Sequence, residues 1–217
     1  MFRAPNTEER KALCATAEHV HYCFDVLDAT LSKPNGGASR SGATPHFDTS
    51  VSCPLFVTWS KRHESGRMDL RGCIGCLKPL PITSLQDYAI NSAMRDQRFQ
   101  PMQARELPLL HCTVSLLTDF EEARDVFDWE VGVHGILIDF VDPHGVSRSA
   151  VYLPEVMPEQ GWSKLQAIDS LIRKSGYTQQ IQETLRASIR LTRYKSSKLT
   201  CTYEEWRLAR QKNGDLR

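Results

Sequence analysis

Leu55-Phe56-Val57-Thr58-Trp59 and Leu70-Arg71-Gly72-Cys73-Ile74-Gly75 are the stretches whose reading decides the fold. The first is a β-branched and aromatic run bounded by Pro54 and a polar stretch at 60–69, and it reads as a strand. The second reads as a short strand, and Lys61 to Asp69 between them suits a hairpin loop. Downstream, Cys112, Val114 and Leu116 alternate with polar neighbours, which predicts a strand over His111 to Thr118. Gly135 to Phe140 and Ser147 to Leu153 read as a second hairpin, joined through Asp142-Pro143-His144-Gly145, a type I turn signal. Ile189, Leu191 and Arg193 alternate with Arg190, Thr192 and Tyr194, a basic strand.

Helical spacing appears between these strands. Leu13, Ala17, Val20, Phe24, Leu27 and Leu31 form one stripe, with Asn6 and Glu9 as a capping box and Pro34 as a stop. His19 and His21 are expected on or beside the polar side of this helix. Ser84 with Asp87 caps a helix that puts Leu85, Tyr88, Ala89, Ser92 and Ala93 on one face. A third helix runs from about Trp162 to Ser175, with Leu165, Ile168, Leu171 and Ile172 inward and Gly176 as its C-cap. A short last helix carries Tyr203 and Trp206. Hairpin-linked strands with irregularly placed helices give an α+β fold, an antiparallel sheet flanked by helices. Residues 32–50, rich in Gly, Ser and Pro with one isolated aromatic, are expected to be a mobile loop. The domain is expected over 15–212, with tails at 1–14 and 213–217.

Composition narrows the function classes. Lys and Arg total 27 against 26 Asp and Glu in 217 residues, so bulk polyanion binding is not the expectation. No apolar run approaches the roughly 20 residues that span a bilayer, and Met1 to Arg10 lacks the apolar stretch of a secretory signal. Seven cysteines read as reduced thiols, which places the chain in the cytoplasm or nucleus. Between Asp119 and Gln160 there are ten acids and two bases. From Gly161 onward there are twelve bases and five acids. Mutual neutralisation is the expected reading, and nucleic acid is not an expected partner.

The chemistry concentrates at Cys73, flanked by Gly72 and Gly75 and preceded by Arg71. Glycines within a strand mark a bulge or the close approach of another group, and a neighbouring guanidinium favours a thiolate. The plain alternative is a small buried thiol. Cys73 and Cys76 spell C-x-x-C without the strand-to-helix setting of a redox motif, and no second pair completes a zinc site. No metal or cofactor is expected. His134 lies between glycines at 132 and 135, which makes it the preferred base for a Cys73 nucleophile, with Glu155 as orienting carboxylate.

Leu70-Arg71-Gly72-Cys73-Ile74-Gly75 also resembles the signature hexapeptide of the AMMECR domain family. Stretches at 54–59, 98–102, 114–118, 128–136, 152–156, 161–162, 168–174 and 191–194 resemble the same family in the same order. The resemblance implies a larger and a smaller subdomain around an antiparallel sheet, with a cleft between them. That cleft would include Arg71, Gly72, Cys73, Gly75, Glu130, His134 and Glu155. Position 76 is Cys where the family usually carries Thr. The family supplies no reaction, so two readings stand. In the first, the cleft binds a protein partner or small anion, with Arg71, Gly72, Gly75 and Glu130 as ligand-binding residues and Arg71 offering its guanidinium fork. In the second, Cys73, His134 and Glu155 form the catalytic set of a thiol enzyme.

Overall fold

The computed structural model describes residues 13–32, 43–212 and 214. The expected cap at Asn6 and Glu9, the stop at Pro34 and most of the 32–50 loop lie outside them. The strands are β1 (Ser52–Arg62), β2 (Met68–Pro81), β3 (Leu110–Glu122), β4 (Gly135–Val141), β5 (Ser147–Tyr152) and β6 (Arg190–Thr202). They form one antiparallel sheet in the order β2-β1-β3-β6-β4-β5. The helices are α1 (Ala17–Leu31), α2 (Leu85–Met94), α3 (Val156–Gln160), α4 (Lys164–Lys174), α5 (Glu183–Ala187) and α6 (Tyr203–Lys212). This is the expected α+β class, with strands at 68–81, 110–122 and 190–202 longer than their apolar cores suggest.

The chain divides into two compact units, 1–116 with 197–217, and 117–196. In the first, Val20, Phe24 and Leu27 of α1 meet Leu55, Val57 and Trp59 of β1 and Leu85 and Ala89 of α2. The Phe24 ring is edge-on to Trp59 at 5.1 Å and stacked on Trp206 at 5.5 Å. Each such fully buried side chain contributes about 1.5–3 kcal/mol. Helix α1 begins after Thr16, and His19 lies on its buried side, 5% exposed. The isolated aromatic of the 32–50 stretch, Phe47, packs against α1. Ser84 makes no side-chain cap to α2, because a 3-10 turn over Ile82–Ser84 precedes that helix and holds Ser84 in helical backbone.

In the second unit, Ile136, Ile138 and Leu191 of the sheet pack on Ile168, Leu171 and Ile172 of α4. Ser163 caps α4, and Gly176 follows it with φ +88°, as its sequence predicts. Leu165 corrects the expected inward set, at 46% exposed. It sits in the first turn, where it lines a groove with Val126, Phe127 and Leu191 instead of the core. The charge asymmetry resolves locally. Arg193 of the basic stretch pairs with Glu121 at 2.8 Å and Asp128 at 3.0 Å of the acidic one, and Lys195 with Asp119 at 3.6 Å.

Candidate functional site

The site begins with a fault in the β1–β2 ladder. Trp59 faces Gly72, but the next pair is Ser60 with Leu70, so Arg71 is an extra residue, a β-bulge. Alternation alone would give Arg71 and Cys73 the same face of β2. Instead Arg71 reaches Glu106 of the 3-10 segment Ala104–Leu109, with Nε 2.9 Å from Oε1 and Nη2 3.1 Å from Oε2. Lys61 Nζ joins the same carboxylate at 3.0 Å. The Arg71 and Glu106 side chains are only 13% and 11% exposed. Burial pushes Glu106 up, but the bonds from Arg71, the Gln103 amide and Lys61 outweigh it and hold the carboxyl at about 2. The fork that the sequence offers to a ligand is therefore engaged within the chain. Only Nη1 has no partner among the described residues, and it is buried.

The two glycines each admit a close neighbour, on opposite faces of β2. A Cβ at Gly72 would lie 1.9 Å from the Ser92 carbonyl oxygen, so α2 rests directly on the strand. A Cβ at Gly75 would lie 2.1 Å from the Phe56 ring, which covers the strand from the other side. Both positions need the absence of a side chain for their packing.

Cys73 lies between them, partly exposed, opposite Thr58. Three of its atoms are held. Thr58 Oγ1 donates to the Cys73 sulfur at 3.0 Å. The Cys73 amide donates to Asp96 Oδ2 at 2.9 Å, and its carbonyl accepts from Arg98 Nη2 at 3.1 Å. Arg98 also grips both oxygens of Asp96, and together with the Cys73 amide it holds that carboxyl well below the usual carboxylate range. On the outer edge of the sheet, Asp96 and Arg98 thus supply the acceptor and donor that a further strand would have supplied. Arg98 is 56% exposed, and its guanidinium carbon lies 5.5 Å from the Phe99 ring centre, with that of Arg71 at 5.9 Å. Cys76 pairs with Leu55, three residues from Cys73 and on the opposite face of the strand. The C-x-x-C therefore spells no dithiol pair.

The remaining candidates, Glu130, His134 and Glu155, belong to the second unit. The Glu130 amide donates to His134 Nδ1 at 3.1 Å. A backbone amide only donates, so Nδ1 holds a lone pair and the neutral ring carries its proton on Nε2. Gly135 lies beneath the Tyr194 ring, and Tyr194 donates to the Tyr152 carbonyl at 3.0 Å. Burial, and after it the charge of Glu155, push the Tyr194 phenol up. His144, in the turn between β4 and β5, places Nε2 2.7 Å from the Gln179 amide nitrogen. Among the described residues no group of three or more His, Cys, Asp or Glu is arranged to hold a metal ion. No helix among them is long and apolar enough to cross a membrane.

Thr58, Asp96, Arg98 and Glu106 are the residues that sequence reasoning does not single out. Arg98 and Thr58 fall in stretches that carry the family resemblance. Asp96 and Glu106 give no local signal, because their roles depend on partners 23 and 35 residues away.

A partly exposed thiol fixed on the edge strand of an antiparallel sheet defines the class of site. The comparisons supply the family: a sequence model described as AMMECR1 matches residues 20–199, and the chain belongs to that family. It is 49% identical over 194 residues to an uncharacterized protein of Arabidopsis thaliana, covering 88% of this chain and 87% of that one. An uncharacterized protein of Schizosaccharomyces pombe is 40% identical over 192 residues, covering 87% and 94%. The crystal structure of an uncharacterized Pyrococcus horikoshii protein superposes with a TM-score of 0.63 at 22% identity, covering 84% of this chain and 89% of that one. That likeness is one of fold.

Proposed function

We propose that this protein is a binding module, and that the Cys73 edge of β2 recognises an acidic group of a protein partner or a small anion. The observation that carries the reading is the threefold hold on Cys73, at sulfur, amide and carbonyl. A residue outside the hydrophobic core that is fixed this firmly is pre-organised for presentation. Arg98 lies exposed beside it with Nε and Nη2 held by Asp96 and the Cys73 carbonyl, so Nη1 is the nitrogen it turns to a ligand, and Arg71 braces the strand from within. A charged hydrogen bond of the kind Arg98 Nη1 offers contributes about 1.5–3 kcal/mol. The free thiols at all seven cysteines suit a reducing compartment, the cytoplasm or nucleus.

The competing reading, a Cys73 nucleophile with His134 as base, is weaker on one point. The neutral His134 ring holds its free lone pair on Nδ1, where the Glu130 amide already occupies it. The test is proximity capture from lysate with a photoreactive maleimide attached at Cys73. Wild type is expected to enrich a defined set of proteins that Arg98→Ala loses. Identical capture by Arg98→Ala, or background alone, overturns the proposal.

A further inference from the structure

Helix α1 opens with Thr16-Ala17-Glu18-His19, in which Thr16 is the N-cap and His19 the third helical residue. In a capping box that third position is normally Glu or Gln, whose side chain accepts the N-cap amide at every ordinary pH. Here the acceptor is a histidine ring. The Thr16 amide donates to His19 Nδ1 at 3.1 Å, and the Thr16 hydroxyl lies 2.9 Å from the same atom. An amide cannot reverse its role, so the bond exists only while His19 is neutral with its proton on Nε2.

The same ring anchors a second segment. His19 stacks on Phe47 at 4.3 Å, and Phe47 meets the Tyr22 ring edge-on at 5.4 Å. Ala43, Phe47 and Val51 thereby attach residues 43–51, which have no regular secondary structure, to the first unit's core. The titratable groups around this spot are Glu18 on α1, Cys14 in the lead-in, and His46 and Asp48 on the attached segment. On β6, Ser197 accepts the Ala15 amide, and Lys198 follows it.

We propose that the Thr16–His19 capping box is a proton-sensitive latch, which holds the start of α1 and the 43–51 segment at neutral pH and releases both when His19 is protonated. A proton on Nδ1 removes the acceptor for the Thr16 amide. It also sets a cation at the positive end of the helix dipole, in a site nearly closed to water. Glu18 opposes this, but burial outweighs it and lowers the affinity of His19 for a proton. The sign follows from linkage. A base whose folded value is depressed contributes stability above its unfolded value of about 6.5, and that contribution is lost as pH falls below it.

Hydrogen exchange, corrected for intrinsic rates, measures the latch in wild type and His19→Gln between pH 7.5 and 5. Gln restores the usual capping residue and cannot titrate. Wild type is expected to lose protection at Thr16 and across 43–51 by up to roughly tenfold per pH unit below the transition, and His19→Gln to stay flat. Flat protection in wild type, or an equal loss in His19→Gln, overturns the proposal. A side-chain NMR titration of His19 gives an independent check: a midpoint at or above 6.5 overturns it even if the variant folds poorly.

Discussion

Arg71 meets Glu106 edge to edge, Nε to Oε1 and Nη2 to Oε2, with both side chains nearly out of water. Removing one member of such a pair leaves a buried charge with too few partners. Arg71→Ala is therefore expected to destabilise the protein by about 2–4 kcal/mol in urea unfolding, with Lys61 limiting the loss. A change below 0.5 kcal/mol would show that the pair carries no structural load.

The same pair sets an acid limit. Glu106 titrates at about 2 in the fold against an ordinary value of 4.5. Its contribution is complete above 4.5 and is lost as pH falls toward 2. Stability measured across that window is expected to fall less steeply in Glu106→Gln than in wild type, even though the variant is less stable at pH 7.

Gly72 and Gly75 are expected to differ in how they tolerate a methyl group. Gly72→Ala drives a Cβ into the backbone of α2, which cannot turn aside. A loss of about 3 kcal/mol or more, or failure to fold, is expected. Gly75→Ala meets a side chain, so Gly75→Ala with Phe56→Ala should recover part of its loss in thermal melts. No recovery would mean that the Leu55 carbonyl, 2.5 Å from the same Cβ, is the true obstacle.

Cys73 and Cys76 are not expected to join under oxidation. They lie on opposite faces of one strand, beyond the geometry a disulfide requires. Mass spectrometry of diamide-treated folded protein should find no Cys73–Cys76 bond, and finding one in quantity would mean that β2 opens readily.

Asp96→Ala removes the acceptor for the Cys73 amide. Exchange of that amide is expected to quicken by about ten- to a hundredfold, the range for losing a charged hydrogen bond. An unchanged rate would show that the amide is protected by something else.

Much of the fold was legible because its signals are local. The alternation of Cys112, Val114 and Leu116, the glycine after α4 and the hairpin at 142–145 each depend on near neighbours. The site was legible in its residues and not in their roles. Arg71 read as a guanidinium neighbouring the Cys73 thiol, because the bulge that parts them is a relation between β1 and β2. His19 read as a polar-face residue, because its burial comes from Phe47, 28 positions away in a stretch that reads as featureless. Asp96 and Glu106 looked like any surface acid, since only tertiary structure gives them their partners.

The bulge gives β2 two reading frames. Met68 and Leu70 follow one alternation, and Gly72, Ile74 and Cys76 another, with Arg71 as the inserted letter between them. Deleting that one residue would put the strand back in a single frame. Leu70 would stay opposite Ser60 and Gly72 opposite Trp59, so Cys73 would keep its outward face and only the fork to Glu106 would go. Keeping Arg71 but pairing it with Trp59 in a regular ladder would instead turn Cys73 inward toward α2 and leave Gly72 without the helix it was shaped to receive. The hexapeptide thus has meaning only against its partner strand, and a graft that carries 70–75 without 55–60 would keep the letters and lose the message.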